Sequence, residues 1–184
     1  MPAPDHILCL DLALANTGVA VLSLGEPDRL VAVDVIRTEA GSGKARVSDD
    51  DWRRTSELVL GLEHAIGRWE PVHIFIECPT GGSKSAKAAK SMALSRGAAC
   101  GAITLLGIGC TLVTPFEAKR AATGDANATK DQVRDSVLAR FPYFNGWIKG
   151  KGGKLLRGVN EHAYDAVSVY MAATATRKYK ELRK

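Results

Sequence analysis

The stretch ILCLDLALANTGVAVLSL, residues 7–24, decides the architecture. Two apolar runs, ILCLDLAL and VAVLSL, flank the turn signal ANTG, and a third run, LVAVDVIRT, follows at 30–38. Aliphatic and β-branched runs bounded by Asn, Asp and Gly read as strands, and such short links read as hairpins. The chain therefore opens on a three-stranded meander. After the polar loop EAGSGKARVSDDD (39–51) the period changes. WRRTSELVLGLEHAIGRW (52–69) repeats its apolar residues at helical spacing, and Asp49, Asp50 or Asp51 can cap it. Next come a strand, VHIFIE (72–77), and a long helix of small residues, SAKAAKSMALSRGAACGAITLLG (85–107). TLVTP (111–115) is a strand, and FEAKRAATG (116–124) and ATKDQVRDSVLARF (128–141) are helices. A basic, glycine-rich loop, YFNGWIKGKGGKLLRGVN (143–160), leads to a last helix, EHAYDAVSVYMAATATRKYK (161–180). Three strands in hairpin order, then strands alternating with helices, predict an α/β fold: a mixed five-stranded sheet flanked by helices on both faces. Neither an internal repeat nor a domain boundary interrupts the pattern, so residues 1–184 are read as a single domain.

Composition narrows the function classes. At 46% hydrophobic and 24% charged the chain is ordinary for a soluble globular protein. No apolar run is long enough to cross a bilayer, and MPAPDHILCLDL lacks the basic start of a secretory signal. The four cysteines form no CxxC pair and sit in apolar segments, which reads as reduced core thiols of an intracellular protein. The net charge of +5 is unevenly spread. Residues 1–83 hold 7 basic and 13 acidic side chains, and residues 84–184 hold 18 and 7, so the halves carry −6 and +11. A basic half suits a polyanion, nucleic acid first and an acidic membrane surface second. A solvated Lys/Arg surface gives the same count.

Three carboxylates fall where burial is expected. Asp11 interrupts ILCLDLAL, Glu77 closes VHIFIE, and Asp165 sits in the apolar part of the last helix with His162 three residues before it. A buried carboxylate is costly unless it is paired or holds a metal. Singly, each has a plainer account: Asp11 capping the ANTG turn, Glu77 pairing with a lysine, Asp165 half exposed, His162 a packed side chain. Together, beside a basic half, they fit an oxygen-rich site for Mg²⁺ or Mn²⁺. Two such ions about 3.5–4 Å apart serve phosphodiester hydrolysis by activating water and stabilising the leaving oxygen.

The glycines after Glu77 do not make a nucleotide loop. A P-loop reads GxxxxGK[ST], and aligned on Lys84 its two glycine positions hold Cys78 and Ser83, so no nucleotide cofactor is expected. Lys84 and Lys87, at a helix start, could instead meet the phosphates of DNA.

These residues resemble a known family. LDLALANTGVAV, IECP and HAYDAVSVY, in that order from Ile7 to about Ala173, are similar to the motifs of RuvC-type Holliday-junction resolvases, which have an RNase H-like fold. The resemblance implies an acidic tetrad at Asp11, Glu77, His162 and Asp165 that holds two Mg²⁺ or Mn²⁺ ions. Its third position is Asp in some members and His in others. It also implies two functional lysines, Lys119 binding phosphate near the cut and Lys130 orienting or polarising the reacting group. Plain surface lysines are the alternative for both. The chain departs from the family at Thr80, where some members carry an aromatic wedge, and Phe144 or Trp147 could take that part. Lys149, Lys151, Lys154 and Arg157 in the glycine-rich loop read as DNA contacts, against the alternative of a mobile loop without a role.

The resemblance thus implies a homodimeric, metal-dependent endonuclease that nicks two opposed strands of a four-way junction, in the cytoplasm with the nucleoid, cell- or virus-encoded. The helix 86–107 is its expected dimer face, with no membrane partner. Two rivals stay open. One keeps the metals but cuts flaps, other branched DNA or RNA–DNA hybrids. The other is a non-catalytic nucleic-acid-binding module on the same fold, which has no reason to place three acids against a polyanion.

Overall fold

The structure, a computed structural model, describes residues 5–43, 46–78, 85–142 and 157–184, the side chains of 157–159 excepted. Five strands form one sheet: β1 (His6–Asp11), β2 (Asn16–Ser23), β3 (Arg29–Arg37), β4 (His73–Glu77) and β5 (Cys110–Val113). Their order is β3-β2-β1-β4-β5. β1, β2 and β3 pair antiparallel as the meander predicts, while β4 and β5 add in parallel. Parallel addition needs a crossover, and two long helices supply it: α1 (Val47–Trp69) before β4 and α2 (Ala86–Leu105) before β5. Then follow α3 (Pro115–Thr123), α4 (Lys130–Arg140), α5 (Arg157–Ala173) and α6 (Arg177–Leu182).

Side chains on a strand alternate between faces, so β1 sorts its residues by parity. Leu8 and Leu10 enter one core with Val19, Val21, Ile74 and Ile76, closed by Leu58, Leu62 and Ile66 of α1 and by Ala98, Ala99 and Ile103 of α2. Ile7 and Cys9 enter the other with Ala20, Leu22, Phe75 and Val113, closed by α3, α4, α5 and α6. Leu58 and Leu62 are fully buried, and each such side chain contributes roughly 1.5–3 kcal/mol over an exposed one. Helices therefore cover both faces of a mixed five-stranded sheet, as expected.

Several local expectations need correcting. α1 begins at Val47 behind Arg46, with no side-chain cap, so none of the three aspartates caps it. Asp50 instead accepts from the Gly41 amide (2.9 Å) and from Arg53 (2.6 Å), which tie the preceding loop to the first turn. The last helix begins at Arg157, not 161, and stops at Ala173. Thr174 and Thr176 donate to the carbonyls of Met171 and Ala173, and Thr176 then accepts from the Tyr179 amide to start α6. The small-residue stripe of α2 is half spent: Ser95, Ala98, Ala99, Ala102 and Ile103 are buried within the chain, leaving Ala93, Gly97 and Gly101 on the outer side. Only Cys9 is a core thiol. Cys78 is half-buried, and Cys100 and Cys110 are exposed, because one lies on the outer side of α2 and the other on an edge strand. Among the described residues no helix is long and apolar enough to cross a membrane.

Candidate active site

The end of the sheet sets the site. Register runs Val35, Gly18, Asp11, Glu77, Val113 across five neighbouring strands, all opposite one another. By alternation with Cys9, Ala20 and Phe75, this row faces the α5 side. Two carboxylates therefore stand beside each other at the ends of parallel strands, under a helix. What lets the helix come down is Gly18. A Cβ built there would lie 2.0 Å from the His162 carbonyl oxygen and 2.6 Å from its carbonyl carbon, which no rotamer change could relieve. The sequence reading placed this glycine in the turn, yet it is a strand residue paired to Asp11. The turn itself is closed by Thr17, whose hydroxyl donates to the Ala13 carbonyl (2.8 Å) and accepts from the Ala13 amide (3.2 Å). Thr38 braces it from β3's end, donating to the Leu14 carbonyl at 2.5 Å while accepting from Arg54 (3.0 Å).

On α5, His162 and Asp165 are three residues apart and share a face. His162 Nδ1–H donates to Asp11 Oδ2 at 2.7 Å. Asp11, His162 and Asp165 each offer one ligand atom, and these atoms lie within 4.8 Å of one another. Glu77, beside Asp11 in register, stands outside that trio.

The electrostatics are those of acids short of cations. Burial, then the charges of Asp11 and Asp165, push the Glu77 carboxyl up to about 8 against the pull of Lys119 and Lys130. Burial, then Asp11, push Asp165 up to about 6, while Lys130, His162 and Lys119 draw it down. A divalent cation reverses both shifts by favouring the charged carboxylates. The donor set, carboxylate oxygens and one imidazole, fits Mg²⁺ or Mn²⁺ chemistry.

Both expected lysines reach this field. α3 begins right after β5, started by a reciprocal Thr114–Glu117 capping box, and carries Lys119 half-buried. Gly124 ends it with φ +83°, a left-handed conformation suited to glycine. Thr129 and Gln132 form a second capping box, which sets Lys130 in the first turn of α4. Lys130 also pairs with Glu161, the residue before His162, a contact unforeseen from sequence. Of the expected DNA contacts, Lys87 is exposed in the first turn of α2. Lys84, Lys149, Lys151 and Lys154 lie outside the described residues, with Thr80, Phe144, Trp147 and the side chain of Arg157.

The chain matches known proteins in sequence and in fold. The family described as Crossover junction endodeoxyribonuclease RuvC matches residues 7–140. That span holds Asp11, Glu77, Lys119 and Lys130 and ends before α5. The RuvC of Moorella thermoacetica is 30% identical over 127 residues, covering 69% of this chain and 71% of that protein. The RuvC of Methylobacillus flagellatus is 29% identical over 133 residues, 72% of each chain. Among solved structures, T. thermophilus RuvC in complex with a Holliday junction superposes with a TM-score of 0.68 at 17% identity, over 91% of this chain and 92% of that one. The yeast mitochondrial Holliday junction resolvase Ydc2 gives 0.64 at 12% identity, over 98% and 82%. These likenesses extend the fold through α5. The match over residues 7–140, on a sheet that ends in this acidic row, places the chain in the RuvC family of crossover junction endodeoxyribonucleases.

Proposed function

We propose that this chain resolves four-way DNA junctions by nicking two opposed strands, with Asp11, Glu77, His162 and Asp165 holding a pair of Mg²⁺ or Mn²⁺ ions. One observation carries the reading. Asp11, His162 and Asp165 converge within 4.8 Å beneath a helix, next to a Glu77 that burial and like charge push up to about 8. Without a cation such a cluster repels phosphate; with one it attracts it. When bound, divalent ions supply activated water and charge neutralisation for phosphodiester hydrolysis. The chain's own residues do the rest. Asp11 fixes the orientation of the His162 ring through the Nδ1–H hydrogen bond. Lys119, on a capped and anchored helix, offers positive charge beside Glu77 and Asp165 for a phosphate near the cut. Lys130 orients the reacting group, and its pairing with Glu161 keeps its ammonium by the same helix turn as His162.

A four-way junction has two-fold symmetry, so a homodimer with two identical clefts suits it. The face of α2 free for a partner is the outer one, around Ala93, Gly97 and Gly101. Residues 1–184 act on this account as a single nuclease domain, nucleoid-associated in the cytoplasm. Lys84, Lys87, Lys149, Lys151, Lys154 and Arg157 supply the basic track for the arms. The test compares a synthetic four-way junction, a flap, a plain duplex and an RNA–DNA hybrid, each with Mg²⁺, Mn²⁺ or chelator. Metal-dependent nicks at symmetric positions on the junction are expected. Cleavage confined to flaps or hybrids would move the substrate, and binding without cleavage in either metal would remove the enzyme.

A further inference from the structure

Phe116 is unusual for its position. It is 58% exposed, and among the described residues the only comparably exposed aromatic is Trp52, on α1 across the sheet from α5. Such exposure leaves a large apolar ring in water with nothing gained in folding. Phe116 lies in the first turn of α3, three residues beyond Val113, which is the register partner of Glu77. The helix is held firmly, by Pro115 at its start, the Thr114–Glu117 capping box, and Ala118 buried beneath. Phe116, Lys119 and Arg120 stand at i, i+3 and i+4, so they share one side, opposite the buried Ala118. Val113 stands in the acidic row and α3 starts two residues after it, so the first turn of α3 adjoins that row. Arg120 is exposed beside it.

An exposed aromatic ring flanked by cations is how proteins hold unpaired bases, the ring stacking and the cations taking the backbone. Where a crossover is opened, the base pairs at its centre lose a stacked neighbour and can unpair. We propose that Phe116 is a specificity-determining residue that stacks on an unpaired base beside the scissile phosphate, with Arg120 on the adjoining backbone. This rests on the junction-resolving reading above. Among the described residues no aromatic ring packs against Phe116, and its rigid mounting keeps the ordering cost of stacking low.

The test is single-turnover cleavage of two junctions by wild type, Phe116→Ala and Phe116→Trp. One junction is fully paired and one carries two mismatched pairs at the crossover, with thermal melts as a control on folding. Phe116→Ala slows the paired junction on the order of tenfold, as expected for one stacked base, and slows the mismatched one only two- to threefold. Phe116→Trp retains most of the rate. Equal slowing of both junctions by Phe116→Ala, no slowing, or Phe116→Trp as slow as the alanine variant would each overturn the proposal while leaving the resolvase reading intact. A wild type that cuts neither junction would overturn that reading, and this inference with it.

Discussion

Glu77→Gln separates the folding cost of the acidic row from its use. Burial and its acidic neighbours raise the Glu77 carboxyl from 4.5 to about 8. A group raised on folding adds stability fully present below its unfolded value and lost as pH climbs through its folded value. For Glu77 that window runs from 4.5 to about 8. At 1.36 kcal/mol per unit of pH, the loss has a ceiling of roughly 5 kcal/mol. Side-chain movement and water entry relieve part of it, so about 3 kcal/mol is the expected gain from removing the charge. In a domain of this size that corresponds to about 6–12 °C in Tm. The assay is thermal unfolding in chelator at pH 5 and pH 9. At pH 5 the two proteins melt within a few degrees of each other. At pH 9 the glutamine variant melts higher, because only the wild type must bury that ionised carboxylate. Adding Mn²⁺ at pH 9 then stabilises the wild type and not the variant, whose junction cleavage is lost. Parallel curves at both pH values would refute the reasoning, since Glu77 would then be well solvated. So would an equal Mn²⁺ response from both proteins.

Three further outcomes follow from the geometry. Gly18→Ala drives a Cβ into the His162 carbonyl, so α5 must lift; unfolding by urea should show a loss of about 1–3 kcal/mol, and Mn²⁺ titration a weaker site. Lys119→Met should lower the single-turnover cleavage rate on the order of tenfold or more, because the side chain supplies positive charge beside Glu77 and Asp165. Metal affinity should rise between pH 6 and pH 8, where Asp165 and Glu77 ionise, by calorimetric titration; an affinity flat across that range would argue against carboxylate ligands.

Much of this was legible because alternation is rigid. Once ILCLD and VHIFIE are parallel neighbours, Asp11 and Glu77 must share a face, and the apolar side of the last helix brings Asp165 and His162 to it. The trio of Asp11, His162 and Asp165 is where the sequence pointed, while Glu77 sits just outside it. Other features depend on contacts between distant segments, which no local pattern carries. Gly18 read as a turn residue because ANTG is a turn signal; that its missing side chain makes room for α5 follows only from the register. The Lys130–Glu161 pair joins α4 to α5 and has no sequence spacing to betray it. None of Asp49, Asp50 and Asp51 caps α1 because the helix starts earlier, at Val47, which puts all three inside it. The two capping boxes, T-x-x-E at 114–117 and T-x-x-Q at 129–132, were readable in principle, and they set the helices that carry both lysines. Half of the small-residue stripe of α2 faces the chain's own core, because small residues serve close packing inside a chain as readily as between chains.

The most direct measurement is cleavage of an immobile four-way junction by wild type and Asp11→Asn, mapped on all four strands with Mn²⁺ or chelator, with junction binding followed in parallel. The account predicts paired symmetric nicks from the wild type in Mn²⁺ alone. Asp11→Asn binds the junction as tightly and does not cut it, because His162 and Asp165 lose the carboxylate that completes their cluster. Asp11→Asn cleaving at the wild-type rate, or wild-type cleavage that survives the chelator, would contradict it.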